Sequence, residues 1–204
     1  RQTAPAAFQA TEPLLPDILL LHAQWRGQKD AAICGDERWN WTTLGERACQ
    51  TAQGLAQLGI GRGDRVGVVM SNGLPTLEAL LGIMVAGGIS VPINLSVSNQ
   101  AIATMLRDAG AKAVFVTPDQ RPRIETAELD NCRRIIVGPD EPGWIGMDGF
   151  HLLQTRRPEV TLGADDGLNI IYSSGTTDLP KGIYHTHATR RDWAYDLGIA
   201  LRYH

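Results

Sequence analysis

A chain of 204 residues is long enough for one domain, or for one domain and part of a second, with a sizeable buried core. Hydrophobic residues make up 43% of the chain and charged residues 20%, which is ordinary for a globular protein and excludes a low-complexity or fibrous class. The net charge of −3 gives no electrostatic reason to expect nucleic acid or an anionic membrane as a partner.

Two further features bear on location. The three cysteines, Cys34, Cys49 and Cys132, include no Cys-x-x-Cys pair, which favours a reducing compartment. The longest mildly apolar run, residues 77–93, contains Glu78 and is interrupted by two glycines, so it reads as a buried helix and strand and not as a transmembrane segment. No targeting segment is evident, and we expect a cytoplasmic protein.

The first part of the chain predicts two helices around a pair of short strands. Residues 1–12 are expected to form a loose N-terminal tail, followed by a helix from about Pro13 to Trp25 and strands near 31–34 and 38–41. Thr43 and Glu46 have the spacing of a capping box. An apolar stripe follows them, and Gly59 closes the predicted helix.

From residue 66 onward, short apolar runs alternate with helical patterns. Strands are predicted at 66–70, 89–93, 113–117 and 135–137, and helices at 75–86, 99–109 and, less regularly, 119–130. Alternating strands and helices imply parallel βαβ units with right-handed crossovers. The predicted fold class is therefore α/β, with a mostly parallel sheet and helices on both faces.

The predicted division of the chain has three parts after the tail. Residues 13–137 would form a first α/β subdomain. Prolines and glycines mark residues 138–166 as an irregular connection. Residues 167–204 would begin a second subdomain with a short buried strand over 168–172, and a loop rich in hydroxyl side chains follows directly.

That loop has the composition of an anion-binding site. The run from Ser173 to Gly182 reads Ser-Ser-Gly-Thr-Thr-Asp-Leu-Pro-Lys-Gly. Backbone N–H groups at the end of a strand can form a concave nest for an anion, and Lys181 supplies a positive charge suited to phosphate. A solvated loop of ordinary composition is the alternative. It is not a Walker A loop, because Gly182 follows Lys181 where that motif has Ser or Thr.

The same run closely resembles the phosphate-binding signature of the adenylate-forming superfamily, which includes acyl-CoA synthetases, peptide-synthetase adenylation domains and luciferases. That signature reads Ser/Thr-Ser-Gly-Thr-Thr-Gly-x-Pro-Lys-Gly, and Asp178 is the one departure. Residues 182–187 look like the family's continuation into a helix capped by Thr and His. Residues 38–48 together with 59–68 are similar to one earlier family block and residues 86–94 to another, so the resemblance covers nearly everything from residue 13.

The resemblance implies a function for the loop. Enzymes of this family activate a carboxylic acid with ATP to an acyl-adenylate and pass the acyl group to a thiol such as coenzyme A, with Mg²⁺ between the phosphates. By the resemblance, Ser173, Ser174, Gly175, Thr176 and Thr177 would cradle the β- and γ-phosphates and Lys181 would add charge. No catalytic residue is assigned, because the motifs that bind adenine and ribose and the C-terminal domain with its catalytic lysine are missing. We therefore expect an N-terminal portion that is inactive alone.

Three functions remain open within this reading. An acyl-CoA synthetase is favoured, since the run Val91-Pro92-Ile93-Asn94-Leu95 lacks the Pro-Ile-Asp-Pro usual in peptide-synthetase adenylation domains. An amino-acid-activating domain is the first alternative, and a non-catalytic nucleotide- or partner-binding module is the second.

Two histidines raise the question of a metal. His185 and His187 are spaced like ligands across a strand, but no third ligand is near in sequence, so no metal site is predicted. His187 is expected to pack or to form a hydrogen bond at the start of the helix that follows the loop.

Overall fold

The computed structural model describes residues 13–173 and 180–202. Two helices and a small antiparallel sheet come first, and a succession of strands and helices follows. The elements of the first group are α1 (Leu15–Trp25), β1 (Asp30–Cys34), β2 (Glu37–Asn40) and α2 (Trp41–Gln57). Those of the second are β3 (Arg65–Val69), α3 (Leu74–Val85), β4 (Ile89–Pro92), α4 (Asn99–Asp108), β5 (Ala113–Val116), a 3-10 turn (Pro118–Gln120), α5 (Arg121–Glu125), β6 (Arg133–Ile136), β7 (Ile145–Gly146), α6 (Met147–Phe150), β8 (Gly167–Ser173), β9 (Lys181–Thr186) and α7 (His187–Ala200).

Seven strands form one sheet in the order β7-β6-β5-β3-β4-β8-β9. Every neighbouring pair is parallel except β8 and β9, which are antiparallel. The predicted α/β class with a mostly parallel sheet is thus confirmed. β8 pairs with β4 in this same sheet, so the sheet is continuous across the predicted subdomain boundary, and the division of the chain stays a prediction.

Helices cover both faces of the sheet, and each face has its own core. Along β3, Val66 and Val68 belong to one core cluster and Val69 to the other, as the alternation of side chains in a strand requires. The first cluster includes apolar residues of α2 and α3, and the second those of α4. Within the ranges described above, no helix has the length and apolar character needed to cross a membrane.

Two predicted helix boundaries were wrong. α2 begins at Trp41, and its N-cap is Asn40, whose side-chain oxygen accepts a hydrogen bond from the backbone N–H of Thr43 at 2.8 Å. The expected capping box at Thr43 is therefore inside the helix. The helix expected over 119–130 is confined to Arg121–Glu125, because its prolines favour only a first turn and the pattern lacks a continuous apolar stripe.

The connection over 138–166 is less irregular than predicted. It contains β7, at the edge of the sheet, and the single turn of α6. Two glutamines of α2 bind the segment that follows. The side-chain amide of Gln50 donates to the backbone oxygens of His151 at 2.7 Å and Leu153 at 3.2 Å. The side-chain amide of Gln53 donates to the backbone oxygen of Arg156 at 2.8 Å. Carbonyl groups that a strand would have paired are satisfied by these side chains instead.

Replacing a helical glycine by alanine should change the free energy of unfolding in opposite directions at two positions. A Cβ on Gly54 of α2 would lie 2.4 Å from a ring carbon of buried Phe150, whereas a Cβ on Gly198 of α7 would meet nothing within 4 Å. Alanine favours a helix over glycine by about 1 kcal/mol, while overpacking a core costs about 1–3 kcal/mol. We expect Gly198→Ala to raise the free energy of unfolding by about 1 kcal/mol and Gly54→Ala to lower it by up to about 2 kcal/mol.

Urea titrations of the two variants beside the parent chain measure both changes. Stabilisation by Gly54→Ala would show that the ring of Phe150 can move aside at no cost.

Candidate phosphate-binding site

The two described ends of the predicted phosphate loop stand opposite each other. Ser173 is the last residue of β8 and Lys181 the first residue of β9, and the two are register partners in the antiparallel pair. Both side chains are exposed. The predicted site residues Ser174, Gly175, Thr176 and Thr177, and Asp178 beside them, lie outside the described residues. The structure thus brings Ser173 and Lys181 together at the stem of the loop.

The stem is tightly packed on one side. Gly182 pairs with Tyr172, and a Cβ on Gly182 would lie 2.9 Å from a methyl carbon of Ile170 and 3.2 Å from Cζ of Tyr172. A side chain at residue 182 would require the side chain of Ile170 or the ring of Tyr172 to move. The glycine after Lys181 therefore leaves room for these two side chains of β8 next to the stem.

The stem lies at the carboxyl edge of the parallel sheet, where ligands of open α/β sheets bind. β4 is the neighbour of β8, and residues 94–97 follow β4 at that edge. Arg123 of α5 organises this turn: its guanidinium donates to the backbone oxygen of Leu95 at 2.7 Å, to that of Val97, and to the side chain of Asn99 at 2.9 Å. No local sequence pattern marks Arg123, because these partners are distant from it in sequence.

A second polar group lies farther along the same edge, after β3 and β5. The hydroxyl of Ser71 donates to a carboxylate oxygen of Asp119 at 2.5 Å, and the amide of Gln120 donates to the same oxygen at 2.8 Å. Hydrogen bonds from Ser71, and then from Thr117 and Gln120, lower the pKa of Asp119 to about 2. Because these donors already bind the carboxylate of Asp119, the group connects the two loops and leaves few free hydrogen-bonding atoms for a ligand.

The start of α7 confirms the expectation for His187. Thr186 caps the helix, its hydroxyl accepting from the N–H of Thr189 at 3.1 Å, and His187 is the first helical residue. The backbone N–H of His187 donates to the oxygen of Asp166 at 3.0 Å, and its side chain is fully buried. Neither ring nitrogen has a hydrogen-bond partner in the part of the chain that the structure describes.

His185 lies on β9 and lines an open cleft of about 580 Å³ between that strand and α7. The guanidinium of Arg190, also in the cleft, lies 5.3 Å from the ring of Trp193 and donates to Asn169 at 3.3 Å. Over residues 13–173 and 180–202, no three His, Cys, Asp or Glu side chains come together as a metal-binding group.

Burial makes His187 sensitive to acid. Desolvation, opposed by Asp166, lowers its pKa below the usual 6.5, and the cation of Arg157 lowers it further while Asp17 opposes. In the unfolded chain His187 therefore binds a proton near pH 6.5, whereas in the folded chain it binds one only at a lower pH. The contribution of His187 to the free energy of unfolding is therefore fully present above pH 6.5. It is lost as the pH falls below 6.5, by up to about 1.4 kcal/mol per pH unit for one proton.

Unfolding free energies measured from pH 7.5 to 5 test this, with His187→Phe as the comparison. The phenylalanine variant should lose the part of the slope between pH 6.5 and 5 that His187 contributes, a range well above the titration of Asp119. Some slope should remain, because burial and then the charge of Arg190 also lower the pKa of His185. An equal slope in both proteins would assign the acid sensitivity to other groups.

Comparisons with known proteins agree with the fold and the motif. A model of the AMP-binding enzyme family matches residues 21–196. The long-chain-fatty-acid–CoA ligase FadD13 of Mycobacterium tuberculosis is 31% identical over 179 residues, covering 82% of this chain and 34% of that protein. Tyrocidine synthase 2 of Brevibacillus parabrevis is 31% identical over 182 residues, which is 89% of this chain and 5% of that protein.

Solved structures give the same result. The anthranilate CoA ligase AuaEII, in complex with anthranoyl-AMP, superposes with a TM-score of 0.81 at 26% identity, covering 86% of this chain and 35% of that chain. The strand order, the motif at the end of β8 and these matches define an adenylate-forming fold. The chain belongs to the AMP-binding enzyme family, and it spans about a third of the length of the mycobacterial ligase.

Proposed function

We propose that this chain is the N-terminal part of an ATP-dependent acyl-CoA synthetase. The complete enzyme would convert a carboxylic acid and ATP to an acyl-adenylate and pyrophosphate, and would then transfer the acyl group to coenzyme A. The observation that carries the proposal is the phosphate signature at 173–182, whose described ends, Ser173 and Lys181, are paired at the carboxyl edge of the sheet. The similarity to named CoA ligases supports the choice of reaction.

The chemistry of the proposed site follows from its groups. Negative charge grows on the departing pyrophosphate, and preorganised N–H groups, hydroxyls and a lysine stabilise such charge. Ser173, Ser174, Gly175, Thr176 and Thr177 would bind the β- and γ-phosphates, and Lys181 would add a positive charge to the loop. Fixed hydroxyls around one cation suit a phosphate better than they suit a carboxylate, since more oxygens need donors.

Mg²⁺ would accompany the nucleotide. It prefers hard oxygen ligands and keeps several waters, so the oxygens of the β- and γ-phosphates fit it. The ion would offset the charge of the phosphates.

A further part of the same enzyme would cover β9 and α7. These elements expose large apolar side chains, among them Ile183, Trp193 and Ile199, at 50%, 62% and 77% of their possible area. Exposed apolar patches mark surfaces that another element covers. The adenine-binding motifs and the C-terminal domain would belong to that part, and the 204-residue chain alone would form no adenylate. We place the enzyme in the cytoplasm.

An amino-acid-activating domain is the second candidate, and the 31% identity to Tyrocidine synthase 2 favours it specifically. ATP–pyrophosphate exchange by the complete gene product separates the candidates. Exchange dependent on an organic acid, followed by thioester formation with coenzyme A, supports the synthetase; exchange dependent on an amino acid supports the second candidate. No exchange with either class would leave a non-catalytic module.

A further inference from the structure

The residue before the phosphate loop is bound to a helix on one face of the sheet. Tyr172, the last residue but one of β8, donates its hydroxyl to a carboxylate oxygen of Asp108 at 2.5 Å. Asp108 is the last residue of α4, and the two positions are 64 residues apart in sequence. The ring of Tyr172 is half-buried against the core cluster on that face. This bond ties the stem of the loop to the body of the domain.

Asp108 is an unfavourable residue for the position it occupies. The last turn of a helix carries partial negative charge, so an acidic side chain there weakens the helix, and Arg107 beside it is the residue type that such a turn favours. The phenol of Tyr172 gives the carboxylate a donor. Burial, and then the hydrogen bond to Asp108, raise the pKa of Tyr172, so the hydroxyl keeps its proton and donates.

The same ring also sets the position of the opposite strand. Tyr172 is the register partner of Gly182, with ring atoms within 3.4 Å of where a Cβ on that glycine would stand. Ser173 and Lys181 are the next pair along the ladder. The ring of Tyr172 therefore lies against the opposite strand one residue pair from Ser173 and Lys181.

We propose that Tyr172 and Asp108 are positioning residues for phosphate binding: their hydrogen bond fixes the loop stem so that Ser173 and Lys181 stay at the separation the phosphates require. This inference rests on the proposed phosphate-binding role of the loop. Neither side chain touches the ligand; both act through the two residues that begin and end the loop.

Pyrophosphate affinity of the 204-residue chain, measured by calorimetry with inorganic pyrophosphate and Mg²⁺, tests the proposal. Tyr172→Phe and Asp108→Ala should each weaken binding about three- to tenfold, and the double variant should be no weaker than either single one, because all three lack the same bond. Asp108→Asn keeps an acceptor oxygen and should bind as the parent does. Tyr195→Phe, which removes an exposed hydroxyl on α7, is the matched control.

Stability separates positioning from a structural role. Asp108→Ala removes an unfavourable charge from the end of α4, so its unfolding midpoint should stay near that of the parent while its affinity falls. Unchanged affinity in both single variants, or losses that add in the double variant, would overturn the proposal.

Amide hydrogen exchange provides a test that needs no ligand. The amides near Tyr172 and Gly182 that bond across the β8–β9 ladder should exchange several-fold faster in Tyr172→Phe than in the parent, and exchange at the parent rate would overturn the proposal. If the parent chain binds no pyrophosphate, the proposed phosphate loop is wrong, and the exchange rates alone decide whether the bond fixes the stem.

Discussion

His151→Ala should lower the free energy of unfolding by about 2–3 kcal/mol at neutral pH, because a buried carboxylate would lose one of its hydrogen-bond donors. The carboxylate of Glu78 is 2% exposed, and it accepts hydrogen bonds from His151 Nε2 at 2.7 Å and from the hydroxyl of Thr51 at 2.9 Å. Without the imidazole, a buried carboxylate would keep a single donor. The side chain of His151 is 25% exposed, so water can enter its place and limit the loss.

A double variant distinguishes this cause from lost packing. Glu78→Gln removes the charge but keeps an oxygen for Thr51, so Glu78→Gln/His151→Ala should recover at least half of the stability lost in His151→Ala alone. Chemical denaturation of the parent, the two single variants and the double variant gives the coupling energy. A loss below about 1 kcal/mol in His151→Ala would contradict the prediction, because even one unmade hydrogen bond to a buried group costs that much.

Lys181→Ala in the complete enzyme should slow ATP–pyrophosphate exchange about ten- to a hundredfold. A charge-assisted hydrogen bond contributes about 1.5–3 kcal/mol, and each 1.4 kcal/mol is a factor of ten. Lys181 is exposed at the start of β9, so the substitution should leave the fold intact. The loss should shrink as the salt concentration rises, since ions screen an exposed charge.

Lys112→Ala is the matched control for Lys181→Ala. Lys112 directly precedes β5, at the opposite edge of the sheet, and its ammonium pairs with Asp64 at 2.6 Å. Its removal should leave exchange unchanged and cost at most about 1 kcal/mol of stability, as half-exposed pairs do. Equal exchange rates for Lys181→Ala and the parent enzyme would show that Lys181 has no part in phosphate binding.

Much of the fold could be predicted from local patterns, because the three central strands, β3, β4 and β5, are short, mostly buried apolar runs. The strand expected at 113–117 is β5, Ala113–Val116, and every residue of it is buried. β9 was not anticipated, because Lys181–Thr186 is largely exposed and shows no alternation of apolar and polar residues. The order of the strands in the sheet could not be predicted either, since no residue pattern in 167–173 indicates that this strand pairs with β4.

The candidate site likewise has a part that the sequence predicts and a part that it does not. The motif located Ser173 and Lys181, because a strand end and a cation are visible in consecutive residues. The bonds that support the site join positions far apart: Tyr172 with Asp108, and Arg123 with the backbone of Leu95 and Val97. Such pairs depend on tertiary packing, and a single sequence carries no local signal for them.

The place of β8 beside β4 also sets an order of assembly on the ribosome. β3, β4 and β5 lie within residues 65–116 and can join as soon as that length has emerged, whereas the outer edge of β4 waits for residue 167. At about 5–20 residues per second, the 75 residues from 92 to 167 take roughly 4–15 s to make. An unpaired strand edge is a template for pairing with another chain. Pro92, which ends β4 and has no N–H to offer, shortens that edge during those seconds.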